Sequence, residues 1–177
     1  MKKIISLLIV LTLVLSLTGC TSGRSPEEIG EYYVECLAEF KTAEFFKEYA
    51  GDLYLKLNES QFESRNQFIE YLQQLNEDSK KDNAQSNHSI EFVDSIIEKQ
   101  YTKDEVKEYS KSYDENFKDI VIVKVTYNQL TNGQVTGENI IGLLLGKKSG
   151  KWEVTRFMSK SALEQIKWMD QQKNTGS

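Results

Sequence analysis

The pattern that most constrains the fold lies at residues 120–157, near the carboxyl end of the chain. Asn132-Gly133 is a dipeptide typical of a two-residue type I′ turn between antiparallel strands. Before it, apolar side chains occupy every second position, at Val121, Val123, Val125 and Tyr127. This period of two is that of a strand with one buried face. With a further extended segment at 151–157, the pattern predicts three consecutive antiparallel strands.

The turn between the second and third of these strands leaves their register open. If Lys148-Ser149-Gly150 form a three-residue loop, Trp152 and Val154 share a face with Leu144 and Val123. A four-residue loop moves them to the opposite face, because side chains alternate along a strand. Both alternatives remain at this point.

Capping signals predict helices before, between and after the strands. Ser25-Pro26-Glu27-Glu28 combines a capping box with proline at the first helical position. Thr102 with Glu105 forms a second box, and Ser161 with Glu164 is expected to cap a final amphipathic helix.

The segment after the first helix gives weaker signals. Thr42 is expected to cap a short helix that stops at Gly51. Residues 52–58 fit either a short strand or a helical turn. Ser60 or Ser64 then begins a longer helix.

This longer helix is expected to fray into a loop over residues 77–87, which are mostly polar. Residues 90–100 break strict alternation, which indicates a strand with a bulge. The order of helices, strand, helix, three strands and helix predicts a single α+β domain over 26–172. Residues 173–177 are expected to be a disordered tail.

The amino terminus has the pattern of a bacterial lipoprotein signal. Two lysines precede an apolar run at Ile4–Leu17, whose 14 residues are short of the roughly 20 that a spanning helix needs. The run ends in Leu17-Thr18-Gly19-Cys20, which resembles a lipobox. We expect residues 1–19 to be removed, Cys20 to be lipidated with a diacylglyceryl group, and residues 20–25 to tether the domain to the extracytoplasmic face of the cell membrane.

The charge of the chain argues against nucleic-acid binding. The formal net charge is −5, and removal of the first 19 residues takes two lysines away. Affinity for nucleic acid depends largely on Lys and Arg contacts to phosphates, which this composition does not supply. The same charge disfavours adsorption to anionic lipid, so we expect the lipid anchor to hold the protein at the membrane.

Few side chains of this sequence suit catalysis or metal binding. Cys36 is the only cysteine besides Cys20, so no disulfide is expected. It lies on the apolar face of the first helix, where a thiol is usually inert. His88 is the single histidine and is expected to be a solvated loop residue. We therefore expect no metal site and no cofactor.

Three segments carry a resemblance to a known group of domains: Ser25–Glu28 opening the first helix, Phe45–Tyr49 on the second, and Gly150–Val154 at the hairpin. Together with the lipobox, they resemble bacterial lipoproteins with a cystatin-like or nuclear-transport-factor-two-like (SnoaL-like) domain of unknown function. The resemblance implies amino-terminal helices packed on a bent antiparallel sheet that encloses a cone-shaped pocket. The carboxyl-terminal helix departs from the usual pattern and is a candidate to close the mouth of the cone.

Tyrosines and one arginine are the candidate ligand-binding residues. The chain has nine tyrosines, whose rings combine an apolar body with a polar tip. Tyr33 and Tyr127 are candidates to line the cone, and Arg156 would bind an anionic ligand there if it faces inward. In the alternative arrangement, the rings lie at half-buried helix margins and Arg156 pairs across strands or faces solvent.

These observations favour a non-enzymatic binding or accessory-subunit domain of the cell envelope, whose partner is an envelope protein or a small apolar ligand. A structural or immunity-like lipoprotein is the alternative. The resemblance also allows a small-molecule isomerase or cyclase, which would need titratable side chains converging in the pocket.

Overall fold

The computed structural model describes residues 23–58 and 62–175, which form six helices around a four-stranded sheet. Residues 1–22, with the proposed signal sequence and Cys20, lie outside the described residues. The helices are α1 (Pro26–Ala38), α2 (Thr42–Tyr49), α3 (Asp52–Leu57), α4 (Arg65–Ser86), α5 (Lys103–Tyr113) and α6 (Lys160–Thr175). The strands are β1 (His88–Gln100), β2 (Asp119–Thr131), β3 (Gln134–Lys148) and β4 (Lys151–Ser159).

The sheet is an antiparallel meander in the order β1-β2-β3-β4. The predicted Asn132-Gly133 turn is confirmed, and both residues have the positive φ angles, 52° and 76°, that a type I′ turn requires. The predicted irregularity of β1 is also confirmed. Its pairing with β2 shifts between Phe92 and Asp94 and again between Ile97 and Lys99.

The β3–β4 turn contains two residues, Ser149 and Gly150, with φ angles of 51° and 85°. Lys148 pairs directly with Lys151 across it, so both longer loops considered from the sequence are wrong. Val154 consequently lies opposite Leu145. Sequence reasoning did not consider a non-glycine residue with positive φ at position 149.

Both faces of the sheet are covered by helices. On one face, β2 and β3 pack against α1, α2 and Phe68 of α4. On the other, they pack against Val106 of α5 and Leu163 of α6. Because α6 packs on the face opposite α1, it does not cover a pocket on the α1 face. The mixed α+β class predicted from the sequence is confirmed.

Two helix starts differ from the sequence prediction. Thr42 does not cap α2, because its hydroxyl donates a hydrogen bond to Asn76 Oδ1 at 2.7 Å. The cap of α6 is Ser159 and not Ser161, since Ser159 Oγ accepts from the Ala162 N–H at 3.3 Å. The capping boxes that begin α1 and α5 are confirmed.

Residues 52–57 are helical, and α4 continues through the segment predicted to be a loop. The last turns of α4 are polar, but side chains one turn apart pair along its surface. Lys80 bonds Glu77 at 3.0 Å, and Lys81 bonds Asp78 at 3.4 Å. Such pairs stabilise an exposed helix by about 0.2–0.5 kcal/mol each.

The two ends of the sheet have different surroundings. At the end we call the base, Gly23 and Arg24 border the β3–β4 turn. At the opposite end, the far end, His88 pairs with Thr131. A 13-residue strand such as β2 spans about 40 Å, so the two ends are well separated.

Candidate binding pocket at the far end of the sheet

A pocket of about 310 Å³ opens at the far end, between the last turn of α1, the end of α4 and the first residues of β1. This volume is at the lower end of the range typical of small-molecule sites. Its lining combines apolar and polar side chains, among them Leu37, Phe40, Ile90, Asn83, His88 and Gln129.

A left-handed residue follows each of the two helices, α1 and α4, that border the pocket. Phe40 has a φ of 55° and turns the chain after α1. Asn87, with a φ of 51°, ends α4 and directs the chain into β1. The side chain of Asn87 donates to Asn132 Oδ1 at 2.9 Å, and the Asn132 N–H donates to the Asn87 carbonyl at 3.2 Å. These bonds join the start of β1 to the β2–β3 turn.

The polar side chains differ in how much of their bonding capacity is already used. The Nδ1 atom of His88 lies 2.8 Å from the hydroxyl of Thr131. By contrast, the side-chain amides of Asn83 and Gln129 form no hydrogen bond within residues 23–58 and 62–175. They are therefore available to orient a ligand.

His88 was expected to be a solvated loop residue. The side chain is exposed, but the residue is the first of β1 and lines the pocket. The sequence around it is polar and gave no sign of this position. The position of His88 follows from the pairing of β1 with the end of β2. These two segments are far apart in the sequence, so no local pattern could predict it.

The structure brings Tyr33 and Tyr127 to the same face of the sheet, inside the aromatic core beside α1. The ring of Tyr33 packs against Phe45 and Phe157, with centroid distances of 5.0 Å and 5.1 Å. Burial raises the pKa of Tyr33 strongly, and the nearby phenols of Tyr127 and Tyr54 raise it further.

Tyr54 is a third tyrosine that packs against this aromatic core. Its ring packs against Phe46 at 5.3 Å and Phe68 at 5.8 Å. Tyr33 precedes the pocket residue Leu37 by one helical turn, so the tyrosine group lies deeper along α1 than the pocket.

Arg156 lies apart from these tyrosines. It pairs in register with Leu144, whose side chain belongs to the core on the α5 and α6 side. The exposed guanidinium donates to the hydroxyl of Tyr113 at 3.2 Å. Of the arrangements considered from the sequence, solvent exposure is the one observed, and Arg156 is not a lining residue of the far-end pocket.

A second cleft of about 410 Å³ separates α5 from α6. Lys99 lies at its edge, with 15% of its side chain exposed, and bonds Asp170 at 2.8 Å and Glu105 at 3.3 Å. The Tyr109 hydroxyl is buried there without a hydrogen-bond partner in the described part of the chain. Since Asp170 and Glu105 already neutralise the charge of Lys99, this cleft is a weaker candidate for ligand binding than the far-end pocket.

Cys36 is buried as a free thiol, and burial raises its pKa. In the part of the chain that the structure describes, no three His, Cys, Asp or Glu side chains are grouped so that they could hold a metal ion. Among the described helices, none has the length and apolar character needed to cross a membrane.

Comparisons of this chain with models of protein families, with curated proteins and with solved structures found no match.

Proposed function

We propose that this chain is a membrane-anchored, extracytoplasmic lipoprotein whose domain binds a small amphipathic ligand, or a short segment of an envelope protein, in the far-end pocket. The observation that carries the proposal is the relation between the two ends of the sheet. Gly23 lies at the base, three residues after Cys20, whereas the pocket lies beside Leu37 and Phe40 at the other end of α1, a helix about 20 Å long. A lipid on Cys20 would therefore leave the pocket accessible to the envelope.

The lining of the pocket supports a binding role and suggests the class of ligand. Leu37, Phe40 and Ile90 offer apolar surface, and the amides of Asn83 and Gln129 offer donors and acceptors. His88 is the one titratable side chain of this lining, and its Nδ1 is engaged by Thr131. An uncharged ligand with an apolar body and one or two polar groups fits this surface.

We further propose that the domain belongs to the cystatin-like or nuclear-transport-factor-two-like group. A long helix packed across one face of a four-stranded antiparallel meander supports this assignment. The helices α5 and α6 on the other face would then be additions to the group's usual architecture.

The anchor is tested by growing cells with an alkyne-bearing fatty acid and detecting the label on the protein. Wild type and Cys20→Ser are compared, with Cys36→Ser as the matched control because it removes the other cysteine. We expect label on wild type and Cys36→Ser, and none on Cys20→Ser. Label that persists in Cys20→Ser, or that is absent from wild type, rejects the anchor.

The pocket is tested by native mass spectrometry of protein purified gently from its own envelope. Leu37→Trp fills the pocket, and Leu57→Trp places the same bulk at a residue of α3 that is 39% exposed. We expect a bound molecule or peptide on wild type and Leu57→Trp that is lost from Leu37→Trp. Equal occupancy in all three proteins would mean that the ligand binds elsewhere.

A further inference from the structure

The β3–β4 turn carries a basic and aromatic surface beside the start of the described chain. Lys147, Lys151 and Trp152 line one groove of about 550 Å³ together with Gly23 and Arg24. The ammonium of Lys147 lies 5.2 Å from the centroid of the Trp152 ring. The most amino-terminal described residues and the turn therefore share one surface.

The length of chain before Gly23 limits how far this surface can lie from an acyl chain on Cys20. Gly23 follows Cys20 by three positions, and three residues span at most about 11 Å in any conformation. Two acyl chains on Cys20 would insert in the bilayer and hold the residue at its surface. The β3–β4 turn then lies within reach of the lipid headgroups.

The charges around the turn are not equally available. Lys148 bonds Glu115 at 2.8 Å, and Arg24 bonds Glu48 at 3.0 Å. Lys147 and Lys151 take part in no ion pair among residues 23–58 and 62–175. These two lysines are therefore the cations that the turn can offer to an anionic surface.

Besides Glu48 and Glu115, which are already paired, Asp119 and Glu153 lie near these lysines. Asp119 is the cross-strand partner of Lys147 at the start of β2. Glu153 is half-buried and packs against Gly51, where an added Cβ would lie 2.7 Å from the Glu153 carboxyl carbon. Glu153 is thus directed toward the start of α3, which leaves Lys151 and Trp152 as the side chains that flank the tip of the turn.

We propose that Lys147, Lys151 and Trp152 form a docking surface for anionic phospholipid headgroups, an inference that rests on the proposed lipid anchor at Cys20. Lysines near an anionic bilayer strengthen binding about fivefold each, and tryptophan is favoured at the boundary between headgroups and acyl chains. The net negative charge of the chain opposes adsorption as a whole, but the cations at the turn act locally, within a Debye length of the surface. Docking at the base directs the far-end pocket away from the membrane.

The test uses Trp152 as a reporter of contact with lipid. The chain has two tryptophans, and Trp168 is 60% exposed, so Trp168→Phe leaves Trp152 as the only one at little cost to the fold. Lipidated protein is reconstituted in vesicles that contain brominated phosphatidylglycerol or brominated phosphatidylcholine. We expect quenching of Trp152 in the phosphatidylglycerol vesicles, and weaker quenching in 0.5 M salt or in phosphatidylcholine alone.

The contribution of Lys147 and Lys151 to vesicle binding is measured on the mature-length chain with Cys20→Ser, which lacks the lipid and keeps every described residue. Its binding to phosphatidylglycerol vesicles is compared with that of the double variant K147E/K151E. The matched control is K80E/K81E, which makes the same charge change on α4 away from the base. We expect K147E/K151E to bind at least about 25-fold more weakly and K80E/K81E to bind within about twofold of its parent.

The outcomes separate this inference from the anchor. Absence of lipid on wild type by mass spectrometry rejects the anchor, and the vesicle binding of the Cys20→Ser chain still reports on the turn. Lipid on wild type with an unquenched Trp152 overturns the docking surface alone, and so does equal binding of K147E/K151E and K80E/K81E. If K147E/K151E instead loses a co-purifying envelope protein while Trp152 stays unquenched, the turn is a protein interface and the proposal is wrong.

Discussion

The guanidinium of Arg24 lies 3.8 Å from the centroid of the Tyr32 ring. The same side chain donates to the Tyr49 hydroxyl at 2.9 Å and pairs with Glu48 at 3.0 Å. Arg24 therefore fixes the segment before α1 to both α1 and α2. This contact holds the start of the described chain at the base of the sheet.

We predict that Arg24→Ala lowers the free energy of unfolding by about 1–2 kcal/mol, because it removes a stacked cation and a charged hydrogen bond. Glu48→Gln is the control and is expected to cost less than about 0.5 kcal/mol, since the exposed ion pair contributes little. Urea unfolding of the three proteins measures both values. Equal stability of Arg24→Ala and wild type would show that the amino-terminal segment is not fixed by this side chain.

Gly30 lies where α1 packs tightly against β1 and β2. A Cβ at this position would lie 2.8 Å from Val125 Cγ2 and 3.2 Å from Ser95 Cβ. We predict that Gly30→Ala destabilises the protein by about 2 kcal/mol, because overpacking outweighs the better helix propensity of alanine. Gly137→Ala is the control, since the nearest atom to its Cβ is 3.8 Å away. A gain in thermal stability for Gly30→Ala would contradict this packing.

Lys99 joins β1 to α5 and α6. We predict that Lys99→Met lowers the free energy of unfolding by about 2 kcal/mol and speeds hydrogen exchange in α6. The reason is that the partly buried ammonium bonds both Asp170 and Glu105. Lys167→Met tests the other link between α6 and β1. Its 3.5 Å pair with Glu98 involves a side chain that is 63% exposed, so we expect almost no change. If both variants behave alike, Lys99 is no stronger a link than an exposed pair.

Glu153 should destabilise the fold as the pH rises. Burial raises its pKa above the ordinary value of 4.5, Asp52 and Glu115 raise it further, and Lys148 opposes them. The protonated form is favoured in the folded state, so its contribution to stability is complete below pH 4.5 and is lost as the pH rises through the folded pKa.

We therefore predict that Glu153→Gln has the stability of wild type at pH 3.5 and exceeds it at pH 7. Denaturant unfolding across this range measures the difference, with exposed Glu91→Gln as the control for the substitution itself. A Glu153→Gln protein that is less stable than wild type at pH 7 would mean that attraction to Lys148 dominates.

The elements that sequence reasoning located correctly are those with local causes. The capping boxes at Ser25 and Thr102 and the turn at Asn132-Gly133 act within a few residues, so their sequence is sufficient. The end of α4 was missed because its polar residues favour a loop by composition. Exposed pairs such as Lys80 with Glu77 add to the stability of the helix there.

The candidate site was less predictable because its parts are distant in sequence. Leu37, Asn83 and Gln129 meet only after α1, α4 and β2 are assembled. Tyr33 and Tyr127, the sequence's candidates to line a pocket, lie on one face of the sheet and pack against the core beside α1. The face of Arg156 depends on an irregularity in the pairing of β3 with β4, which shifts between Leu144 and Leu145 so that Arg156, and not Thr155, lies opposite Leu144.

The two irregularities of β1 bear on how copies of this protein meet. β1 is an edge strand of 13 residues, and the exposed Val93 occupies the first irregularity while Glu98 occupies the second. A long, regular, apolar edge is a template on which another chain can add a strand, and bulges interrupt that template. Chains tethered to one membrane, as proposed here, collide in two dimensions at high local concentration. The bulged edge of β1 would keep such collisions from becoming aggregates.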